Sequence, residues 1–448
     1  MKILIQSPLA VLLPDPEQEC SGILIERGRI EKILGFSDDL PDDIDQIIDA
    51  SDCVVTPGLI NTHHHYYQTL TRALPVALNK ELFPWLKSLY PVWAGLDADM
   101  ITAATQMATA ELLLSGCTTS SDHHYIFPSS VTDALDVQVA ALANTGIRSV
   151  LTRGSMSLGE DQGGLPPRNT IQDEDTILAD SERVITTYHD AGDSAFLNIA
   201  LAPCSPFSVS ESLMKESAKL ARRYGVRLHT HLAETHDETA FCLRVTGYRP
   251  LDYLEHVNWL ANDVWLAHGI HFNDNEVTRL GAAGVGITHC PSSNMILGSG
   301  QCPTLELESA GCPVGLGVDG SASNDGSNMI QEVRQALLLQ RLRYGASKMT
   351  HIDALRMATS GSAKCIGRPT LGEIRPGFEA DLALFKLDEP RFSGAGDPLA
   401  ALLLCGASQA EHVMVGGKWS VYDKQLTTMD IDELTARHRA CARMLTQT

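Results

Sequence analysis

The 448-residue sequence lacks paired cysteines, long apolar runs and any excess of positive charge. Its 11 cysteines are scattered singly, no C-x-x-C pair occurs, and the odd total does not suit a framework of disulfides. No segment approaches the roughly 18 consecutive apolar residues that a membrane helix needs. This composition argues against a disulfide-stapled secreted scaffold and an integral membrane protein, and it suits a reducing compartment.

The formal net charge is −21, and no run rich in lysine or arginine stands out. Because an acidic surface repels phosphate backbones and anionic lipids, neither nucleic acid nor a membrane is an expected partner. The first residues, MKILIQSPLAVLLP, include an apolar tract, but Gln6, Ser7 and Pro8 interrupt it and no A-x-A-like cleavage site follows. We therefore expect an edge strand at this point and a cytoplasmic protein.

The rhythm of the sequence divides it into three regions. Residues 1–56 read as short strands, whereas residues 57–367 repeat an apolar strand followed by a helix, which favours a parallel sheet or a (β/α)₈ barrel. Residues 368–448 are strand-rich again from LGEIRPGFEADLALF onwards, turn at Gly416 and Gly417, and end in a predicted helix. Each β-rich end is too small to bury a core alone, so we expect the two ends to form one sandwich.

Three adjacent histidines stand at the end of a predicted strand in residues 61–75, which read NTHHHYYQTLTRALP. Because side chains alternate along a strand, His63 and His65 share one face and His64 points to the other. On a barrel strand, that pair would look into the mouth at the C-terminal end, where barrel active sites lie. Two imidazoles spaced in this way can chelate a metal, although H-x-H can equally be a hydrogen-bonded pair.

Further ligand-type side chains close three more predicted strands, namely His229, His231 and Glu234 in HTHLAETHDE, His268 in LAHGIHF and Asp319 in VGLGVDGSASND. Any one of them alone is more often structural, since an aspartate before glycine is usually part of a turn. Their shared position at one edge of the sheet predicts a metal-dependent catalytic site. Alternation alone leaves His229 and His231 both facing inward and does not choose between them.

The motifs TPGLINTHHH, HTHLAET, AHGIHF, HCPSSN, GLGVDGSASND and LGEIRPGFEADLALF together resemble the deaminase branch of the amidohydrolase superfamily, over nearly the whole chain. The resemblance implies a distorted (β/α)₈ barrel over residues 57–367. A flanking β-sandwich would be built from residues 1–56 and 368–448. The resemblance also implies one divalent metal ion, zinc or alternatively iron, because FLNIALAPCS on the fourth strand lacks the lysine that two-metal members carry there.

The same resemblance assigns roles to the strand-end residues. The implied metal ligands are His63, His65, His231 and Asp319. Glu234 would shuttle a proton, His268 would contact the attacking water and the developing oxyanion, and Asp319 would take a second proton. His229 then becomes a residue of the layer beneath the site.

Within this branch the sequence resembles the enzymes that convert 8-oxoguanine to urate and ammonia, through HHHYYQTLTRALP, KELFPWLKSLYPVW and SDHHY. Gln68 follows His65 by three residues, as in guanine deaminases, where this amide reads the purine edge. The Arg-Phe pair of guanine deaminases is replaced by APCSPFS, which contains Cys204. The alternatives are an amino- or ethylaminohydrolase of triazines, a guanine- or isoguanine-type deaminase, a cyclic amidase, and a non-catalytic assembly protein of the same fold.

Three residues are candidate substrate contacts, namely Gln68, Trp85 and Cys204. Trp85 belongs to an aromatic cluster in residues 80–93, which helix packing explains as well as a lid over a planar ring does. Arg72 could meet a ring oxygen or pair with an acid, and His123 and His124 could line the pocket or form hydrogen bonds in the barrel mouth. The expected partner is a small heterocycle, and relatives of this kind are commonly homo-oligomers.

Overall fold

The structure, a computed structural model, describes residues 1–41 and 43–447. Its strands are β1 Lys2–Gln6, β2 Ala10–Val11, β3 Gly22–Glu26, β4 Arg29–Leu34, β5 Gln46–Asp49, β6 Cys53–Pro57, β7 Leu59–Asn61, β8 His64–His65, β9 Cys117–His124, β10 Arg148–Ser155, β11 Leu197–Pro203, β12 Leu228–Leu232, β13 Val264–His268, β14 Gly286–His289, β15 Val314–Leu316, β16 Asp319–Gly320, β17 Leu382–Lys386, β18 His412–Val415, β19 Lys418–Tyr422 and β20 Gln425–Leu426.

The α-helices are α1 Leu82–Trp93, α2 Ala98–Leu114, α3 Ala134–Leu142, α4 Glu174–Tyr188, α5 Glu211–Tyr224, α6 His236–Thr246, α7 Pro250–His256, α8 Asp274–Ala283, α9 Pro291–Ile296, α10 Thr304–Ala310, α11 Met329–Tyr344, α12 His351–Arg356, α13 Ser362–Cys365, α14 Pro398–Ala401 and α15 Ile431–Thr446. Within the described ranges, no helix combines the length and the apolar character that a membrane span requires.

Eight parallel strands close into a barrel in the order β7, β9, β10, β11, β12, β13, β14, β15. The last strand closes on the first through the pairing of Leu316 with Asn61. The helices between the strands cover the outside, so β9 and β10 are buried along their whole length. This arrangement confirms the predicted barrel and directs the C-terminal ends of all eight strands to one mouth.

The two chain ends build the flanking sandwich, as predicted. One sheet has the order β4, β3, β1, β5 and comes from the N-terminal region. The other has the order β2, β6, β17, β18, β19, β20 and joins both ends of the chain. Ile3 and Ile23 of the first sheet share a buried core with Val55, Leu382 and Met414 of the second.

Two local predictions about the sandwich are wrong. The first strand is not an edge strand, because β1 pairs antiparallel with β3 on one side and parallel with β5 on the other. Its residues Ile3, Leu4 and Ile5 are all buried, and this continuous apolar run is the pattern of an interior strand. In LGEIRPGFEADLALF only the last part is a strand, because β17 begins at Leu382.

The final helix, α15, lies against the barrel rather than on the sandwich. It begins after Asp430, whose carboxylate accepts hydrogen bonds from the backbone of Asp432 and Glu433. Its residues Cys441 and Leu445 belong to the same apolar cluster as the aromatic residues of α1. The chain end therefore supports the wall that covers the barrel mouth.

Candidate active site

Two short strands bring the first and last strands of the barrel together at the mouth. In β8 and β16, His64 pairs with Asp319 and His65 with Gly320, and the backbone N–H of Asp319 donates to the carbonyl of His63 at 3.0 Å. The strand is interrupted at Thr62 and His63, yet Nε2 of His63 and Nε2 of His65 both lie 3.3 Å from Oδ1 of Asp319. Their predicted common face is confirmed.

Strained backbone marks three positions at the mouth. The φ angles of Ala233, His268 and Asp319 are 55°, 73° and 60°, in the left-handed region that non-glycine residues seldom adopt. Each costs of order 1–3 kcal/mol and persists only where the surrounding structure holds it. All three follow or end barrel strands, and two of them, His268 and Asp319, line the cavity.

The sequence-predicted metal ligands converge on one point. Oδ1 of Asp319 lies 3.3 Å from Nε2 of His63 and 3.3 Å from Nε2 of His65, and Nε2 of His65 lies 3.2 Å from Nε2 of His231. Zinc binds imidazole nitrogen at about 2.0–2.1 Å in a tetrahedral arrangement, which sets neighbouring donor atoms roughly 3.3 Å apart. The buried Nε2 of His63 has no hydrogen-bond partner in the described part of the chain. The donor set and its spacing therefore fit a divalent metal.

Backbone carbonyls fix the orientation of two of these imidazoles. Nδ1 of His65 donates to the carbonyl of His123 at 2.7 Å, and Nδ1 of His231 donates to the carbonyl of Cys204 at 2.6 Å. A carbonyl can only accept, so in each ring the proton is on Nδ1 and the lone pair of Nε2 faces the cavity. The rings are oriented for coordination by their surroundings.

His229 fixes the orientation of the His63 imidazole from the layer below the site. Nδ1 of His229 donates to the carbonyl of Trp265 at 2.8 Å, so its Nε2 accepts from Nδ1 of His63 at 2.8 Å. Burial lowers the pKa of His63 and of His229 well below the ordinary value, which keeps both rings neutral. His229 thus lies in the layer beneath the site, where the resemblance placed it.

Glu234 and His268 face each other beside the donor cluster. Oε2 of Glu234 is 3.5 Å from Nε2 of His268, which is 4.0 Å from Oδ2 of Asp319. The hydroxyl of Ser299 donates to the other oxygen of Glu234 at 3.2 Å. Burial raises the pKa of the Glu234 carboxyl, a direction that suits a group which must hold and release a proton near neutral pH.

Two positioning groups at the mouth were not singled out from the sequence. Both carboxylate oxygens of the buried Glu238 accept backbone hydrogen bonds, from Ala233 at 3.0 Å and from Glu234 at 2.8 Å. A T-x-x-E capping signature at Thr235 could have indicated it, since the Thr235 hydroxyl accepts from the N–H of Glu238. The second is Asn294 of HCPSSN, which makes a 3.0 Å hydrogen bond to Nδ1 of His268 through Oδ1.

The candidate substrate contacts line one pocket with the donor cluster, and Gln68, Trp85 and Cys204 all belong to its wall. Gln68 lies in a 3₁₀ helix, residues Tyr66–Thr71, that follows the histidine triplet. Its amide packs directly over Gly320, where a Cβ atom would come within 1.8 Å of Oε1. The indole of Trp85 donates to the carbonyl of Ala322 at 3.1 Å, so this side chain is both packed and exposed to the pocket.

The residues whose role the sequence left open have defined partners. Arg72 pairs with Glu111, away from the pocket lining. Nε2 of His123 donates to the carbonyl of Ala202 at 2.9 Å, and its ring stacks on His231 with centroids 4.7 Å apart. Nε2 of His124 likewise donates to a backbone carbonyl, at 2.7 Å. Of these three, His123 is the one that joins the imidazole cluster.

The middle histidine of the triplet links β8 to the loop between β16 and α11. Nδ1 of His64 accepts from the backbone N–H of His65 at 2.8 Å, so its Nε2 carries the proton and donates to the hydroxyl of Ser327 at 2.9 Å. Burial lowers the pKa of His64 to about 3, which keeps the ring neutral. It therefore fixes the backbone beside His65 rather than facing the cavity.

Fold and site together define a class: a (β/α)₈ barrel that gathers imidazoles and carboxylates at its C-terminal mouth to hold a divalent metal. The sequence matches the amidohydrolase family over residues 54–420, and the chain belongs to that family. It is 59% identical to an 8-oxoguanine deaminase of Pseudomonas aeruginosa, over 98% of each chain. It is 37% identical to a hydroxydechloroatrazine ethylaminohydrolase of Pseudomonas sp. strain ADP, over 88% of this chain and 85% of that one.

Solved structures agree with the fold. A zinc-complexed atrazine chlorohydrolase from Arthrobacter aurescens TC1 superimposes with a TM-score of 0.93 and 32% identity, covering 98% of this chain and 100% of the other. That relative holds zinc, and the donor set described above suits the same kind of ion.

Proposed function

We propose that this protein hydrolyses the amino group of free 8-oxoguanine, releasing urate and ammonia, with one zinc ion held by His63, His65, His231 and Asp319. The observation that carries the chemistry is the meeting of Glu234, His268 and Asp319 beside the oriented imidazoles, with separations of 3.5 and 4.0 Å. The choice of substrate is supported by the 59% identity to an 8-oxoguanine deaminase.

A bound zinc ion would lower the pKa of a coordinated water molecule to about 7 and so make hydroxide available at neutral pH. Glu234 accepts the proton of the attacking water and delivers it to a ring nitrogen of the base, which makes the amino-bearing carbon electrophilic. Its raised pKa suits both halves of this transfer. The backbone N–H of Glu234 donates to the carboxylate of Glu238, and this bond helps to fix the position of the Glu234 side chain before the substrate binds.

His268 and Asp319 complete the proton transfers. Nδ1 of His268 donates to Oδ1 of Asn294, and although burial lowers the pKa of this imidazole, the facing carboxylates of Glu234 and Asp319 raise it overall. Nε2 can therefore carry a second proton and donate it in a hydrogen bond to the oxygen as it becomes negative, an effect worth about 3 kcal/mol for comparable donors. Asp319 takes the second proton and passes it to the amine, which departs as ammonia when the tetrahedral adduct collapses. Water and 8-oxoguanine enter, urate and ammonia leave, and no oxidant is needed.

The pocket wall supports a flat, polar-edged base. Gln68 offers both a donor and an acceptor to a lactam edge, and Trp85 offers an aromatic face. Cys204 lies in APCSPFS, the segment that replaces the Arg-Phe pair of guanine deaminases, and burial raises the pKa of its thiol to about 12, so it meets the base as a neutral group. Triazine hydrolysis is the second candidate, and the identities of 37% and 32% to triazine enzymes support it less strongly.

Ammonia release from purified, metal-assayed protein tests the proposal. We expect rapid turnover of 8-oxoguanine and slower or no turnover of guanine, isoguanine, cytosine and hydroxytriazines. Rapid release from a triazine with none from 8-oxoguanine would overturn the substrate assignment. Light scattering of the same preparation checks the predicted homo-oligomer.

A further inference from the structure

One hydroxyl in the pocket wall is buried without a partner. The side chain of Tyr90 is 1% exposed, and its Oη has no hydrogen-bond partner in the part of the chain that the structure describes. Oε1 of Gln68, which also lines the pocket, is likewise buried without a hydrogen-bond partner among the described residues. Leaving a buried polar atom unpaired is unfavourable, so a pocket that contains two of them is suited to a ligand that satisfies them.

Tyr90 lines the pocket from α1, whereas the proposed metal ligands stand at the ends of barrel strands. Tyr125, also in the lining, packs edge-on against His65 with ring centroids 5.1 Å apart. Tyr90 instead comes from α1, in line with Trp85 and Leu86, and packs against Trp93 at 5.9 Å. A base whose reacting carbon faces Glu234 would therefore extend its other ring towards the wall formed by α1.

Resting on the proposed function, we infer that the Tyr90 hydroxyl donates a hydrogen bond to the C8 carbonyl of the bound base and so selects oxidised purines over guanine. The amino group that leaves is on the six-membered ring, so this ring faces Glu234 and Asp319, and the five-membered ring faces α1. On that second ring 8-oxoguanine presents a carbonyl acceptor at C8, whereas guanine presents a C–H group there. Guanine would leave the Tyr90 hydroxyl unpaired, and a site built to form a hydrogen bond rejects a ligand that lacks it.

The surroundings keep Tyr90 a donor. Burial raises the pKa of this phenol well above its ordinary value, so it does not ionise in the working range of pH. The rest of this wall, formed by Leu82, Trp85, Leu86 and Phe207, is mainly apolar and offers few competing acceptors. A single hydroxyl in such a wall discriminates more sharply than one among other polar groups.

Tyr90→Phe tests the inference through the preference of the protein for 8-oxoguanine over guanine. We measure the dissociation constants of 8-oxoguanine and guanine in the Glu234→Gln background, where neither base turns over appreciably, and kcat/KM for both in the active enzyme. Tyr90→Phe should weaken 8-oxoguanine binding about tenfold and lower the preference for it over guanine by the same factor, the net worth of one neutral hydrogen bond.

Tyr66→Phe is the matched control. The Tyr66 hydroxyl is also buried without a partner among the described residues, but it does not belong to the pocket lining. We expect its removal to leave the preference unchanged. An unchanged preference in Tyr90→Phe, an equal loss for both bases, or the same shift in both variants overturns the inference and spares the deaminase proposal. A wild-type protein that neither binds nor deaminates 8-oxoguanine overturns the proposed function itself, and the inference with it.

Discussion

The two sides of the pocket differ in how their polar atoms are satisfied. On the metal side, Nδ1 of His65 and Nδ1 of His231 each donate to a backbone carbonyl, which leaves only Nε2 of each ring free. Among the other lining residues, Tyr90 of α1 and Gln68 of the 3₁₀ helix have buried oxygen atoms with no partner in the described residues. The imidazoles of the first group are oriented before any substrate arrives, whereas we infer that a bound base supplies the partners of the second. The groups proposed for catalysis are thus oriented by the protein itself, and the groups proposed for substrate recognition are left without a protein partner.

The largest effect is expected from Glu234→Gln, which tests the metal side. The amide keeps the shape of the side chain but cannot accept the proton of water, so we expect kcat to fall by about 10²–10⁴-fold. Because Glu234 is not among the proposed ligands, the bound zinc should stay near one ion per chain. Steady-state kinetics and elemental analysis of the same sample check both statements.

Glu234→Asp provides the comparison for that variant. Aspartate restores a base but moves it back from His268, from which Glu234 is 3.5 Å away. We expect partial recovery of kcat relative to the glutamine variant. Near-wild-type activity of Glu234→Gln, or loss of the metal from it, would remove Glu234 from the proton transfers proposed for it.

The next effect concerns how the metal side is held in place. Glu238→Gln replaces two acceptor oxygens with one acceptor and one donor, so the N–H groups of Ala233 and Glu234 are no longer both satisfied. The strained backbone at Ala233 should relax and displace the Glu234 carboxylate. A displacement of about 1 Å can cost 10²-fold in rate, and we expect kcat to fall about 10–100-fold with little change in KM.

Asp353→Asn is the matched control for Glu238→Gln. Asp353 also stands three residues after a threonine N-cap, and its carboxylate accepts from the backbone N–H of that residue, Thr350, but on α12 and not in the pocket lining. Its loss should lower the free energy of unfolding by about 0.5–2 kcal/mol without affecting kcat. If both variants lost stability alone and kept kcat, Glu238 would be a helix cap and no more.

The sequence predicted the metal side well and the α1 side poorly, for physical reasons. Strand alternation and the position of barrel active sites depend only on local pattern, so the convergence of His63, His65 and Asp319 could be expected. Tyr90 lies in an aromatic helix whose period indicates only that it is buried, and whether a buried phenol has a partner depends on residues far away in the chain. The wrong edge-strand prediction for β1 has the same origin, because its second neighbour, β5, comes from residues 46–49.

Gly320→Ala sharpens the comparison by testing the second unpaired oxygen, that of Gln68. A Cβ atom there would come within 1.8 Å of Oε1 of Gln68, so the amide must leave its place. Because Gln68 is proposed to read the lactam edge, we expect KM for 8-oxoguanine to rise about tenfold, the net worth of a lost hydrogen bond. Gly326→Ala is the control on the same loop, where the nearest atom, Oδ1 of Asn324, would be 3.8 Å away. Equal kinetics for the two alanine variants would contradict the proposed role of Gln68.

The smallest effect separates packing from substrate contact in the aromatic helix. Trp85 and Trp93 are both buried, lie edge-on with centroids 5.5 Å apart, and each donates one indole hydrogen bond of 3.1 Å, to Ala322 and Thr71 respectively. Only Trp85 belongs to the pocket lining.

Because the two indoles are packed and hydrogen-bonded alike, phenylalanine at either position should lower the free energy of unfolding by a similar amount, about 1–3 kcal/mol, measured by denaturant titration. If Trp85 also covers the planar base, Trp85→Phe alone should raise KM by a few fold, because the smaller ring covers less of the ligand. A KM that stays equal in the two variants would assign both indoles to helix packing and leave the hydroxyl of Tyr90 and the amide of Gln68 as the groups that distinguish one base from another.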